Sequence, residues 1–171
     1  GAQGVRGFAG MQGGTANALG LSLSDVNLAL VMAGEKVASG TPRQWTSLQG
    51  TAGRVALEGV DGITLAGRDL ALQVNQASSD GRLIDYQAQN LTVPTGTGSS
   101  ITLDMAGSLG PLLRASGTLD LGVMDFFQAQ GSFAVERSRA TLRTADKAGT
   151  AANEAADVAV DLLTIGGTGI S

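Results

Sequence analysis

The chain has 171 residues, 43% of them apolar, which is enough for one domain with its own core. It contains no His, no Cys and only two Lys (Lys36 and Lys147), and its six aromatics are Phe8, Trp45, Tyr86, Phe126, Phe127 and Phe133. With 11 basic against 15 acidic residues the net charge is −4, so no basic surface is available to neutralise phosphates and nucleic acid is not expected as a partner.

Strict alternation of apolar and polar residues dominates the chain, and that period of two reads as β-strand. The small-residue opening, Gly1 to Gly10, is β-type in character, and Gly10-Met11-Gln12-Gly13-Gly14 reads as tight turns. Leu19, Leu21 and Leu23, then Val26, Leu28, Leu30 and Met32, line one strand face before a loop from Gly34 to Trp45. Val55-Leu57 leads through the turn Asp61-Gly62 to Ile63-Leu65 and Leu70-Leu72-Val74. Beyond Ser79-Asp80-Gly81 come Leu91-Val93, a turn over Thr95 to Ser100, and Ile101-Leu103-Met105. After Ser108 to Pro111, a hairpin pairs Gly117 to Val123 with Phe127 to Val135 around Met124-Asp125, and Ala140 to Arg143 follows as a third strand. Asp146 to Asp157 is loop-like, with Ala151, Ala152, Ala155 and Ala156 able to hold a helical turn or two; Val158-Val160-Leu162 closes the set, and Gly166-Gly167-Thr168-Gly169 again reads as a tight turn. The 26 Gly, about 15% of the chain and roughly twice the usual share, suit frequent turning. The fold expected is all-β in a single domain, residues 1–171.

A weak internal repeat bears on the architecture. Asn27-Leu28-Ala29-Leu30, Asp69-Leu70-Ala71-Leu72 and Asn90-Leu91-Thr92-Val93 share a pattern, and their starts differ by 42 and then 21 residues. The step of 21 also reaches Leu112 and Phe133 but fails at position 48, where Leu48-Gln49-Gly50 stands. About eight such coils at roughly 4.8 Å would give an elongated module about 40 Å long. That period tips the reading to a β-solenoid over a long antiparallel β-meander, whose strands of similar length produce a similar spacing.

Chemistry is sparse. Without His or Cys the usual nucleophilic triads cannot be assembled, and Lys36 and Lys147 lack the spacing of a Ser–Lys dyad. No phosphate-binding loop occurs, so an enzyme is not expected. No cofactor is expected beyond a hard, oxygen-ligated ion such as Ca²⁺; Asp25 with Asn27, or Asp61 and Asp80 at their turns, are the candidate ligands, with Asx-turn chemistry as the plainer account. For ligand binding the best contacts are Trp45 and Tyr86, the aromatics expected to be exposed, with the neighbouring Arg43. Trp45 discriminates: exposed beside polar groups it favours a glycan site, buried under the Gly34 to Trp45 loop it favours plain structure.

Trp45-Thr46-Ser47-Leu48, the run Val55 to Leu65, Leu70 to Asn75 and Gln130 to Glu136 together resemble tandem units of giant bacterial surface proteins of the adhesin or haemagglutinin-like kind. Val160 to Gly166, joined to Gly7-Phe8-Ala9-Gly10, looks like the junction between such units. A lesser likeness, over Ala115 to Arg143, is to the curved sheets of lipid-bridging AsmA-type proteins. The first resemblance implies an extracellular or cell-surface bacterial repeat, with no catalytic residues to carry over. The chain begins with Gly1 and shows no signal peptide, which suits a piece of something longer, and no run of about 18 apolar residues exists to span a membrane as a helix. The function expected is a structural module stacking on neighbouring copies through β-edges at Gly7, Phe8, Ile165 and Ile170. A module binding a glycan or cell surface is the alternative, and an apolar groove for lipid chains a further one.

Overall fold

The computed structural model describes residues 1–124, 126–146, 148–149 and 155–171. It is all-β. Seven strands, β1 (Ala2–Met11), β2 (Leu19–Gly34), β3 (Gln44–Glu58), β4 (Ile63–Asn75), β7 (Leu112–Val123), β8 (Phe127–Arg143) and β9 (Asp157–Thr168), form one sheet in the order β1-β2-β3-β4-β7-β8-β9. Every neighbouring pair in it is antiparallel. The segment between β4 and β7 carries a separate hairpin, β5 (Leu91–Gly96) with β6 (Ser99–Leu103), and one 3₁₀ turn, Gly107–Leu109. Among the described residues no helix is long and apolar enough to cross a membrane.

Several boundaries differ from the sequence expectation. Gly10 and Met11 belong to β1, and Gly166 and Gly167 to β9, where tight turns were expected, because backbone pairing with β2 and with β8 carries the strands through these positions. Ala140 to Arg143 is no third strand but the continuation of β8, whose ladder with β9 runs unbroken from Ser132 to Arg143. The Ala-rich turn at Ala151 and Ala152, and with it Lys147, lies outside the described residues, as does Asp125 of the β7–β8 turn.

The register shows what each face of the sheet carries, since directly opposed residues point to the same side. β7 alternates without interruption, placing Leu113, Ala115, Gly117, Leu119, Leu121 and Val123 on one face. Opposite them on β4 stand Val74, Leu72, Leu65 and Ile63; across β3 stand Leu48, Gly50, Ala52 and Val55, and on β2 Leu30, Leu28 and Leu23. On the far side Phe127, Phe133 and Val135 of β8 continue the same face, reaching Ile165 of β9. The other face carries Arg54, Arg68, Asp120, Arg114 and Glu136, with Arg68 bridging Asp120 at 3.1 Å and Arg114 bridging Glu136 at 2.7 Å.

The aliphatic phase survives a fault that crosses the sheet. Asp25 in β2 and Asp69 in β4 adopt left-handed backbone (φ 54° and 53°), and the ladders of β1 with β2 and β4 with β7 slip at the same level. A left-handed residue in a strand inserts a bulge and turns the alternation over. This is why the apolar positions change from odd (Leu21, Leu23) to even (Val26, Leu28) in β2, and from Leu65 to Leu70 in β4, without leaving their face. Asn27 fills the gap: its Oδ1 accepts from Gly4 N–H at 3.0 Å, and its Nδ2 donates to Thr51 Oγ1 at 3.2 Å. At the same level a Cβ on Gly117 would lie 2.4 Å from Leu70 Cδ2, so any larger residue there has to displace the Leu70 side chain.

The enclosed core is small and sits on the polar side of the sheet. Tyr86, Leu103 and Met105 from the β4–β7 segment pack on Ala29 and Leu112, with Val31, Ile84, Val93, Ile101 and Leu109 around them. Among the described residues nothing closes the interior expected from the alternating leucines, because the hairpin that could have covered them lies on the opposite face.

Candidate functional site

Three groups of side chains carry the chemistry available. The first is the row Val31, Ser47, Asn75 and Leu112, which crosses β2, β3, β4 and β7 beneath the hairpin segment. Tyr86 is 1% exposed, where it was expected on the surface, so it is withdrawn as a ligand contact. Its hydroxyl donates to Ser47 Oγ at 3.0 Å, Ser47 Oγ donates to Asn75 Oδ1 at 3.0 Å, and Asn75 Nδ2 donates to the carbonyl of Ile84 at 2.9 Å. Burial of these polar atoms is tolerated because each is paired. The chain of bonds locks the insertion onto the sheet and presents nothing to solvent.

The second group surrounds Trp45 at the start of β3. Arg43 stacks over the indole, its guanidinium carbon 5.4 Å from the ring centroid, and also pairs with Glu35. Trp45 Nε1 donates to the carbonyl of Arg82 at 3.0 Å. Asp80 lies 3.7 Å from Arg43 and accepts from Ser78 Oγ at 2.5 Å. The hydrogen bond from Arg43 holds the Glu35 carboxyl below the usual range, and that from Ser78 does the same for Asp80. Trp45 is half-buried and one of its ring faces is taken by Arg43 of the same chain. Arg43 and Trp45 come together as expected; Tyr86 does not join them. Glu35 and Asp80 complete this cluster, and their pairing across loop residues 8 and 37 positions from Arg43 left no local signal in the sequence.

The four Ca²⁺ candidates are not brought to one place. Asp25 and Asn27 sit in the fault, where Asn27 spends its amide on backbone and Thr51. Asp61 lies in the β3–β4 turn, at the far end of β4 from Asp80, which is engaged with Ser78, Arg82 and Arg43. Among the described residues no three carboxylates are grouped in a way that could hold a metal ion.

The third group is formed by the surfaces of the sheet. β1 and β9 are its two edges, so the expected assembly residues fall on opposite margins: Gly7 and Phe8 on β1, Ile165 on β9, and Ile170 just beyond it. Ile165 keeps 72% of its surface in water. Past β9 the chain still follows β8, with Ser171 and Gln130 exchanging backbone hydrogen bonds at 3.0 and 3.1 Å. Between the edges runs the bare aliphatic face, and Phe126 at the β7–β8 turn is 95% exposed.

No protein-family model matches the chain, and searches of curated proteins and of solved structures return no similar protein.

Proposed function

We propose that this chain is a non-catalytic structural module of a bacterial secreted or cell-surface array, a long antiparallel meander that adds neighbouring copies at its two edges. The observation that carries this reading is the placement of the first and last strands, β1 and β9, at opposite margins of one open sheet. An edge strand offers a row of unpaired N–H and C=O groups, and two different edges meeting head to tail propagate wherever the rotation between copies does not close a ring. The resemblance to giant adhesin and haemagglutinin-like units supports the same reading.

Of the two elongated architectures, the pairing favours the meander. In a solenoid the residues of one repeat stack on their equivalents in the next coil. Here β3 separates β2 from β4, and Leu28 lies level with Gly50 and Leu72, not with its sequence equivalent Leu70. The glycan alternative loses support because Tyr86 is buried and Trp45 is held by Arg43 and Arg82 of its own chain. The lipid-groove alternative gains one observation, the bare aliphatic face.

Proline placed in turn at Gly166 and Gly167 tests the edge. One of these N–H groups points out of the sheet, and its loss leaves the fold intact while removing a donor from the free edge. Self-assembly followed by light scattering and negative-stain microscopy is expected to fall for the outward position alone. Assembly indifferent to proline at both positions, or no assembly by the unaltered chain, overturns the reading.

A further inference from the structure

The edges leave the broadest surface of the molecule unexplained. The chain exposes 11199 Å², against about 7,750 Å² for a compact monomer of its mass. The aliphatic face supplies part of the excess. Six inter-strand spacings of about 4.8 Å by roughly 36 Å of strand give a face on the order of 1,000 Å². That exceeds the few hundred Å² of apolar patch usual on a monomer and the ~800 Å² that each partner contributes to a standard stable interface.

We propose that a second copy of this chain covers the face, sheet against sheet, as a two-layer β-sandwich. The dimensions select this occupant. An extended acyl chain is about as wide as one inter-strand gap and would leave most of seven strands wet, whereas a second sheet matches the face in width and length. Charge agrees with it. The face positions of β2, β3, β4 and β7 carry no ionisable side chain, so stacking two copies desolvates no charge there. Charges enter only toward one end, at Arg137, Arg139 and Arg143 of β8 and Asp157 and Asp161 of β9, as at the polar rim of an interface. The relief is suited to interdigitation: Gly50, Ala52 and Ala115 floor a depression of about 340 Å³ walled by Leu28, Leu48, Leu70 and Leu72. Leucines of a facing sheet fill such a hollow at the ~10 Å separation of packed sheets. Face stacking leaves β1 and β9 free, so it is independent of edge assembly.

Sedimentation equilibrium up to about 100 μM separates the possibilities. The unaltered chain and the Gly166 and Gly167 proline variants are expected to contain dimers, while L65K/L121K weakens the dimer about 100-fold or more by setting like charges in the interface. Both positions already face water in the monomer, so the far-ultraviolet circular dichroism of L65K/L121K is expected to be unchanged. Because the chain has no Cys, a single Leu72→Cys substitution on the central strand gives an independent reading: stacked faces allow an oxidative cross-link that L65K/L121K abolishes. A chain monomeric throughout the range, a dimer indifferent to the two lysines, or a monomer that takes up phospholipid vesicles through this face each overturns the proposal.

Discussion

Leu103 and Leu121 are both strand leucines, yet the first has no exposed surface and the second keeps 40% of its own in water. The difference is which side of the sheet the β4–β7 segment folds over. That segment lays Tyr86, Leu103 and Met105 onto the polar side, where the row Val31, Ser47, Asn75 and Leu112 receives them, and leaves the more apolar side bare. Hydrophobic side chains therefore do two different jobs in one sheet. At the covered corner they fix the fold of this chain; on the open face they stay in contact with water.

Truncation measures that difference most directly. Leu103→Ala removes a side chain from a closed core and is expected to cost about 2–5 kcal/mol. Leu121→Ala removes one already half in water and is expected to cost under about 1 kcal/mol in dilute monomer. Urea midpoints compared at one low protein concentration check the pair, and equal losses would break the distinction between the faces. A Leu121→Ala loss that grows with protein concentration would sharpen it instead, since stability then includes the stacked copy.

The polar link at the covered corner comes next in size. Asn75→Ala leaves the buried Ser47 Oγ without its acceptor and the half-buried carbonyl of Ile84 without its donor, with an expected loss of about 1–3 kcal/mol. Tyr86→Phe keeps the ring and gives up only the bond to Ser47, about 0.5–1.5 kcal/mol. Denaturation with Trp45 fluorescence as the probe follows both, because its indole is bonded to Arg82 on the same insertion. A Tyr86→Phe loss as large as that of Asn75→Ala would mean that the ring, not the chain of bonds, places the segment.

The strands were legible because alternation is written locally: Leu119, Leu121 and Val123 announce their face without any partner. Which face would be covered was not, since it depends on where a 36-residue excursion, Gln76 to Pro111, returns to the sheet. Tyr86 shows the cost. An isolated aromatic in the polar stretch Ile84 to Asn90 looks like a surface contact, and only the meeting with Ser47, 39 positions away, makes it core. The fault across the sheet was half legible. The shift from odd to even leucines between Leu23 and Val26 is visible in the sequence, and a strand can keep one apolar face through such a shift only by inserting a residue. Glu35 and Asp80 around Arg43 left no such trace, because ion pairs across loops follow no period.

The fault itself supplies a smaller test. Asp69 holds left-handed backbone at φ 53°, which glycine adopts freely and a β-branched residue resists. Asp69→Gly is expected to change stability by less than about 1 kcal/mol, and Asp69→Val to lower it by about 1–2 kcal/mol. If valine were instead tolerated as well as glycine, the bulge would not be what keeps Leu65 and Leu70 on one face, and the continuity of the apolar surface would need another cause.

The weakest expected effect separates the charged side from the bare one by pH. Glu35, Asp80 and Glu136 are held below their ordinary range by Arg43, Ser78 and Arg114 respectively, and Asp85 by the backbone N–H groups of Gly107, Ala88 and Gln87. A carboxyl whose folded pKa lies below its unfolded one binds fewer protons when folded. Its contribution is therefore complete above the unfolded value and is lost as pH falls from about 4 through the lower folded value. Because these groups are largely solvated, the loss is expected to be shallow and to shrink further in high salt. Urea midpoints at neutral pH and at about pH 3, for the unaltered chain and for Glu136→Gln, check it: the variant's midpoint is expected to fall less on acidification. The bare face carries no titrating group in β2, β3, β4 or β7, so association through it is expected to persist at an acidity that already loosens the opposite side.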